Sequence, residues 1–288
     1  MGKSYLLSIV IPMYYEEAVA MECYKRIKEV VTKNEIKHEL VFVNDGSKDK
    51  TIDILKSIAE KDKNVKIIDF ARNFGHQNAV TAGVLSASGD AVVIIDADLQ
   101  DPPELIADMI SKWKQGYDVV YAKRKKRKGE TWFKLITAKC FYKFLAYMSE
   151  VKIPTDTGDF RLIDRKVVET FREMPERNRF IRGMISWVGY EQTYIEYERD
   201  ERFAGETKYP LKKMIKFASD GIIAFSSKPL KVVTGMGFLT MVLTFIILVY
   251  SIVSNLLGKA TQPGWSTIMI AITFFSAVQM LSLGIIGE

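Results

Sequence analysis

An α/β protein built on a doubly wound, mainly parallel sheet, followed by interfacial amphipathic helices and a two-helix transmembrane hairpin, is the architecture this sequence predicts. Three observations carry it. Short β-branched runs alternate with amphipathic stretches from Leu6 to Ala122, and such alternation implies parallel strands joined by right-handed crossovers. The stretch Val92 to Glu104 begins as a strand apolar on both faces and ends in Asp96 and Asp98, with Gln100 at the same interval. Open α/β sheets place ligands at such carboxyl ends. Finally, Val232–Leu257 and Trp265–Gly287 contain no Asp, Glu, Lys or Arg, and about 20 apolar residues suffice to cross a hydrocarbon core.

The elements follow in order. Leu6–Pro12 is a β-branched strand and Ala18–Lys33 has helical periodicity. Glu39–Asn44 is a second strand, closed by the turn signature Asp45-Gly46-Ser47. A helix over Thr51–Lys61, a strand over Val65–Phe70, a helix over Gln77–Ala87 and a strand over Ala91–Ile95 continue the alternation. Asp101-Pro102-Pro103 is a good helix start; a helix over Pro103–Gln115 and a strand over Asp118–Ala122 come next. No G-x-G-x-x-G follows the first strand, so the dinucleotide fingerprint is absent.

The pattern changes at residue 123. Lys123–Lys128 is a run of basic residues. An aromatic helix follows, with Phe133, Ile136, Cys140, Phe144 and Met148 at helical spacing and Trp132 and Tyr147 at its ends. Leu211–Phe225 is a further amphipathic stretch. Either is a core-facing helix or one lying in a membrane interface. The expected division is a cytoplasmic catalytic domain over 1–209, a juxtamembrane helix over 210–231 and the hairpin over 232–288.

A chain of 288 residues with net charge +6 is large enough for one or two domains and fits anionic partners. The hairpin argues against nucleic acid. Lys212, Lys213, Lys216, Lys228 and Lys231 precede the first span, whereas the hairpin linker carries only Lys259. The positive-inside rule therefore places residues 1–231 in the cytoplasm of a plasma-membrane protein. No signal peptide is legible before the first strand. Cys23 and Cys140 make no disulfide framework, and with two histidines any metal site must rest mainly on oxygen ligands. In an extended strand Asp96, Asp98 and Gln100 would share one side, and three oxygen donors suit Mg²⁺ or Mn²⁺ against a diphosphate.

Several motifs together resemble one family. Ile9-Val10-Ile11-Pro12 with Tyr14 and Glu16, Val43-Asn44-Asp45-Gly46-Ser47, and Asp96-Ala97-Asp98 with Gln100 are similar to the family 2 inverting glycosyltransferases of GT-A fold. The segments Thr157-Gly158-Asp159-Phe160-Arg161-Leu162, Arg179-Phe180-Ile181-Arg182-Gly183 and Arg202 through Leu211 resemble the polyprenyl-phosphate glycosyltransferases. That group holds the bactoprenol glucosyltransferases and dolichyl-phosphate mannose synthases; the two-span hairpin fits the bactoprenol branch.

The resemblance implies roles. Pro12, Tyr14, Glu16 and Asp45 shape the nucleotide pocket, and Asp45 accepts hydrogen bonds from the base. Asp96 lies near the ribose and metal, and Asp98 with Gln100 holds the metal. Asp159 takes the acceptor-side acidic position, as base or orienting group, with Asp98, Arg124 and Arg202 completing the catalytic set. Arg124, Arg127, Arg202 and Lys208 bind the acceptor phosphate. The implied reaction moves glucose or N-acetylglucosamine from a UDP-sugar to undecaprenyl phosphate on the cytoplasmic face, for cell-envelope glycan modification. A homo-oligomer is also expected.

Each assignment has an ordinary structural rival. Asp45 is also a turn residue, the basic run is also a lipid-headgroup anchor, and Asp159 also has Arg161 and Arg165 as pairing partners. His76 reads as a helix start or as a functional loop residue. Other activities compete too: transfer to another lipid or polysaccharide acceptor, or a non-catalytic nucleotide-binding membrane scaffold. A processive polysaccharide synthase would carry a Q-x-x-R-W motif, which this sequence lacks.

Overall fold

The computed structural model describes residues 5–125, 157–176, 179–198, 228–257 and 264–287. The candidate interfacial helices around residues 132–148 and 211–225 lie outside these, as do Arg127, Arg202 and Lys208. The described residues fall into two compact units, a sheet with its helices and a pair of long helices.

In the first unit the strands are β1 Leu7–Met13, β2 His38–Asn44, β3 Val65–Asp69, β4 Ala91–Ile94, β5 Val119–Arg124, β6 Thr157–Asp164 and β7 Gln192–Tyr197. They form a seven-stranded sheet in the order β3-β2-β1-β4-β6-β5-β7. Strands β1, β2, β3 and β4 pair in parallel, as do β5 and β7. β6 runs antiparallel to both neighbours, β4 and β5. The sheet is therefore mixed, and the antiparallel strand is its one departure from a parallel reading.

Helices α1 Ala20–Lys33, α2 Thr51–Ala59 and α4 Ile106–Lys114 cover one face. Their Cys23, Ile27, Leu55, Ile106 and Met109 join Ile9, Ile11, Phe42, Val93, Phe160 and Leu162 in one core. Pro103–Leu105 forms a 3-10 turn leading into α4, as the paired prolines predict. Helix α3, His76–Ser86, packs on the other face, where a Cβ on Gly83 would come within 2.3 Å of Val10 Cγ1. Glycine is what lets this helix approach. Because both faces are covered, every residue of β1 is buried, which is why its sequence is apolar throughout instead of alternating. Helices α5 Arg165–Glu173 and α6 Ile181–Trp187 follow β6.

The second unit contains α7 Lys228–Leu256 and α8 Trp265–Gly287. Both contain apolar stretches long enough to cross a membrane, Leu230–Ser254 and Trp265–Gly287. Leu230, Thr234 and Gly237 meet Gly287, Gly284 and Leu281 in that order, so the pair is antiparallel. A Cβ on Gly284 would lie 2.0 Å from Thr234 Oγ1; small residues here let the backbones approach, the usual device where lipid gives no hydrophobic drive to associate. Thr234, Thr240, Thr244 and Thr273 donate their hydroxyls to carbonyls four residues back, satisfying them within each helix.

Candidate active site

The strand order reverses between β1 and β4, since the chain builds β2 and β3 on one side of β1 before returning to the other. Such a switch point opens a crevice at the carboxyl ends of the strands. The loop after β1 carries Tyr14 and Tyr15, exposed and packed edge to face at 4.7 Å. Tyr15 takes a left-handed φ of 54°. Its amide donates to Ser47 Oγ at 3.0 Å, and the Glu16 amide donates to Thr51 Oγ1 at 3.0 Å. Pro12 stands opposite Val43 in the sheet. The loops after β1 and β2 are thus bound to one another.

Asp45, directly after β2, is buried. It accepts from Asn73 Nδ2 at 2.7 Å and from the Phe74 and Gly75 amides at 2.7 and 3.0 Å. Burial pushes its carboxyl up, and these amides with the His76 charge offset part of the rise. A carboxylate has about four acceptor sites, so most of Asp45 is committed to holding the 73–75 segment. Gly46, at φ 67°, permits this arrangement: a Cβ there would lie 2.3 Å from the Arg72 carbonyl carbon. Above the anchor, half-exposed Phe74 lies under the Arg72 guanidinium, 4.1 Å from its ring centroid.

The acidic motif departs from the extended geometry its spacing predicts. β4 ends at Ile94, and Leu99 has a left-handed φ of 56°. Asp98 Oδ1 accepts from the Gln100 amide at 3.2 Å, closing a turn. The alternation of a strand therefore does not align Asp96, Asp98 and Gln100; a turn with buried Leu99 at its corner presents them. Asp96 Oδ1 is enclosed and accepts no hydrogen bond among the described residues. Burial, partly offset by His76 and reinforced by Asp159, Asp101 and Asp98, pushes the Asp96 carboxyl up to about 6.

β6 supplies the facing wall. Ile94 pairs with Arg161 and Ala91 with Asp164, and beyond the end of β4 Asp96 and Asp159 both lie against His76 Nε2. Asp159 Oδ1 accepts from Arg182 Nε at 2.7 Å, and Oδ2 accepts from His76 Nε2 at 3.0 Å and Gln77 Nε2 at 3.3 Å. Burial raises this carboxyl, but Arg182, then the hydrogen bond and charge of His76, then Arg161, outweigh it and hold it well below the usual carboxylate range. His76 Nε2 also lies 3.6 Å from Asp96 Oδ1. Burial lowers the imidazole, yet Asp159 and Asp96 push it up to about 9.

Neither sequence-level partner of Asp159 is its hydrogen-bonded one. Arg161 donates to the Gly158 carbonyl at 3.0 Å, and burial holds it at about 10 against the pull of Asp159. Arg165 donates to the Gly89 and Ala87 carbonyls. Arg124, at the end of β5, is also drawn inward. Its Nε donates to Tyr197 Oη at 3.2 Å, Tyr197 Oη donates to Asp101 Oδ1, and Arg124 Nη2 lies 3.8 Å from Asp101. A Cβ on Gly158 would stand 3.1 Å from Arg124 Nη2, a tight contact with the end of that side chain. The structure therefore brings Asp96, Asp159 and His76 together, puts Arg124 beside Gly158, and places Asp45 beneath the neighbouring loop. His76, Gln77, Arg182, Asp101 and Tyr197 are site neighbours that the motifs alone do not assign.

A divalent ion suits this donor set. Asp96, Asp98 and Gln100 offer only oxygen, and the enclosed Asp96 oxygen is the atom a cation would satisfy. Among the described residues no three His, Cys, Asp or Glu side chains cluster as a metal cage.

Comparison with known proteins agrees with the fold. The family described as "Glycosyl transferase family 2" matches residues 8–172. The chain is 54% identical over 288 residues to the uncharacterized glycosyltransferase YkcC of Bacillus subtilis (strain 168), covering 100% of this chain and 89% of that protein. It is 40% identical over 282 residues to the prophage bactoprenol glucosyl transferase homolog of Escherichia coli (strain K12), covering 98% and 92%. Among solved structures, the mannosyltransferase PcManGT of Pyrobaculum calidifontis, in complex with GDP-Man and Mn²⁺, superposes with a TM-score of 0.50 at 18% identity, over 96% of this chain and 87% of that one. With its switch-point crevice, acidic turn after β4 and antiparallel β6, the chain belongs to glycosyl transferase family 2 and has the GT-A fold.

Proposed function

We propose that this protein transfers a hexose, glucose or N-acetylglucosamine, from a UDP-sugar to undecaprenyl phosphate at the cytoplasmic membrane surface. The observation that carries the reading is the closeness of Asp96 and Asp159, whose Oδ1 and Oδ2 lie 3.6 and 3.0 Å from His76 Nε2, in a chain 40% identical over 282 residues to a bactoprenol glucosyl transferase homolog. In this reading a donor-side acid and an acceptor-side acid share one crevice.

In this reading Pro12, Tyr14, Glu16 and the Asp45-anchored loop form the nucleotide pocket, and Asp96, Asp98 and Gln100 lie beneath the diphosphate. A divalent ion bound there supplies charge that screens the diphosphate and stabilises it as a leaving group. An acceptor phosphate oxygen forms a bond to the anomeric carbon as the bond to the diphosphate breaks on the opposite face, inverting the configuration and releasing UDP. A phosphate monoester has its second pKa near ~6 and arrives largely ionised, so no strong base is required. Asp159, whose oxygens already accept from Arg182, His76 and Gln77, acts as an orienting group. The remaining difficulty is the repulsion between two anions. Arg124, Arg127, Arg202 and Lys208 are assigned to the acceptor phosphate, since guanidinium forks bind such oxygens strongly.

The test is a screen of sugar nucleotides with undecaprenyl phosphate in detergent, reading lipid-linked product with and without chelator. UDP-glucose or UDP-N-acetylglucosamine should give product, lost on chelation and restored by Mg²⁺ or Mn²⁺. Nucleotide binding with no transfer to any polyprenyl phosphate would overturn this acceptor. A second expectation concerns sidedness: reporters fused at residue 1 and at Lys259 should read cytoplasmic and external respectively. A cytoplasmic signal at Lys259 would overturn the hairpin.

A further inference from the structure

His76 occupies a position that helix energetics do not explain. It opens α3, whose N-cap Gly75 makes no side-chain hydrogen bond and whose first turn holds no acid. Capping of this helix therefore gives no account of an imidazole here. What His76 does have is two carboxylates near one ring nitrogen, Nε2: Asp159 Oδ2 at 3.0 Å and Asp96 Oδ1 at 3.6 Å. An ionised carboxylate only accepts, so Nε2 carries the proton in the bond to Asp159. The next residue, Gln77, donates to the same Asp159 oxygen and accepts from the Ile181 amide at 3.0 Å, joining α3 to α6. Arg182, on α6, holds the other oxygen and also donates to the Thr157 carbonyl at 3.0 Å.

We propose that His76 is a positioning residue: its hydrogen bond to Asp159 Oδ2, made while the same nitrogen lies 3.6 Å from Asp96 Oδ1, fixes the acceptor-side carboxylate beside the donor-side acid. The inference rests on the reading of Asp159 as the acceptor-side group. Without His76, Asp159 loses one of its donors and its spacing from Asp96 is no longer set. Asp159 then swings on Arg182 and Gln77 alone. His76 itself need not touch either substrate; it acts through Asp159.

The experiment compares the full chain with His76→Ala, His76→Gln, Asp159→Asn and the His76→Ala/Asp159→Asn double variant, each first titrated with sugar nucleotide. Misplacement of a reacting group by about 1 Å can cost ~10²-fold, so His76→Ala should lower kcat by about 10–100-fold while donor affinity is kept. Glutamine restores an Nε2 donor and should recover most of the loss. Residues in one network are non-additive, so the same alanine change should cost little more in the Asp159→Asn background. Undiminished kcat in His76→Ala, no difference between glutamine and alanine, or an equal loss in both backgrounds overturns the proposal. Loss of metal-dependent nucleotide binding in His76→Ala overturns it too, by moving the residue into the donor site. If Asp159→Asn fails to bind nucleotide, the glutamine–alanine contrast decides alone. A wild-type chain that ignores polyprenyl phosphate defeats the proposed function and not this inference; the same variants are then read on slow sugar-nucleotide hydrolysis, with water as acceptor.

Discussion

Asp98→Ala is expected to lower kcat by at least about 10²–10³-fold, the range for removing one preorganised charge-stabilising group, and to leave the fold intact. Asp98 lies in a turn beyond the end of β4, with its side chain only partly buried, and it accepts a local hydrogen bond from the Gln100 amide. Removing it takes away an oxygen ligand without opening a cavity in the core. Thermal unfolding should therefore be nearly unchanged while product formation at saturating sugar nucleotide collapses. Added Mn²⁺ should restore little, because a missing ligand is not replaced by mass action at ordinary concentrations. A variant with full turnover would remove Asp98 from the metal site.

Asp159→Ala should act on stability as well as rate. Breaking a buried ion pair by removing one partner costs about 3–5 kcal/mol, because the remaining charge is left uncompensated. The Asp159 side chain is 7% exposed and that of Arg182 26% exposed, so solvent relieves part of the cost and the lower end of that range is expected. Asp159→Asn should lose less, since its amide oxygen still accepts from Arg182. The pH dependence has a definite sign. The folded carboxyl sits below its unfolded value of ~3.9, so its contribution is fully present above that value and is lost as pH falls through the folded pKa. The stability gap between wild type and Asp159→Ala should hold between about pH 6 and 5, narrow above ~6.5 as His76, raised to about 9 partly by Asp159, loses its proton, and close at the acid end only under stronger acid. An alanine variant as stable as wild type at neutral pH would mean that Asp159 carries no network.

The parallel half of the sheet is legible because burial on both faces leaves a plain record. The runs Leu6–Pro12 and Ala91–Ile95 predict strands that the structure places at Leu7–Met13 and Ala91–Ile94. The amphipathic stretches between them become α1 to α4 with ends shifted by a few residues. β6 is legible as a motif but less so as a strand. Phe160 and Leu162 alternate with Asp159 and Arg161, which is a period-two signal, yet its direction depends on the connection and not on its own residues. The turn at Asp96–Gln100 is hidden for another reason: Leu99 adopts a left-handed φ without being Gly, Asn or Asp. His76 and Arg182 lie far from Asp159 in sequence, and only the packing of α3 and α6 against the start of β6 brings them to it. Asp45 stands between the two kinds of case. Its turn position is read correctly, and the three donors from the 73–75 segment have no local sequence sign.

β6 has a consequence for how such a chain can change length over evolution. Phe160 and Leu162 enter the core shared with α1 and α4, while Asp159 meets α3 and α6 on the opposite side of the same strand. A single deletion or insertion between Asp159 and Asp164 would exchange the two sides. It would push Asp159 or Arg161 toward the apolar layer and bring an aromatic ring to the crevice. Core packing alone would therefore reject it, before any selection on chemistry. Indels among homologues should consequently fall outside Thr157–Asp164, and a scan of single-residue deletions should find this strand intolerant from end to end.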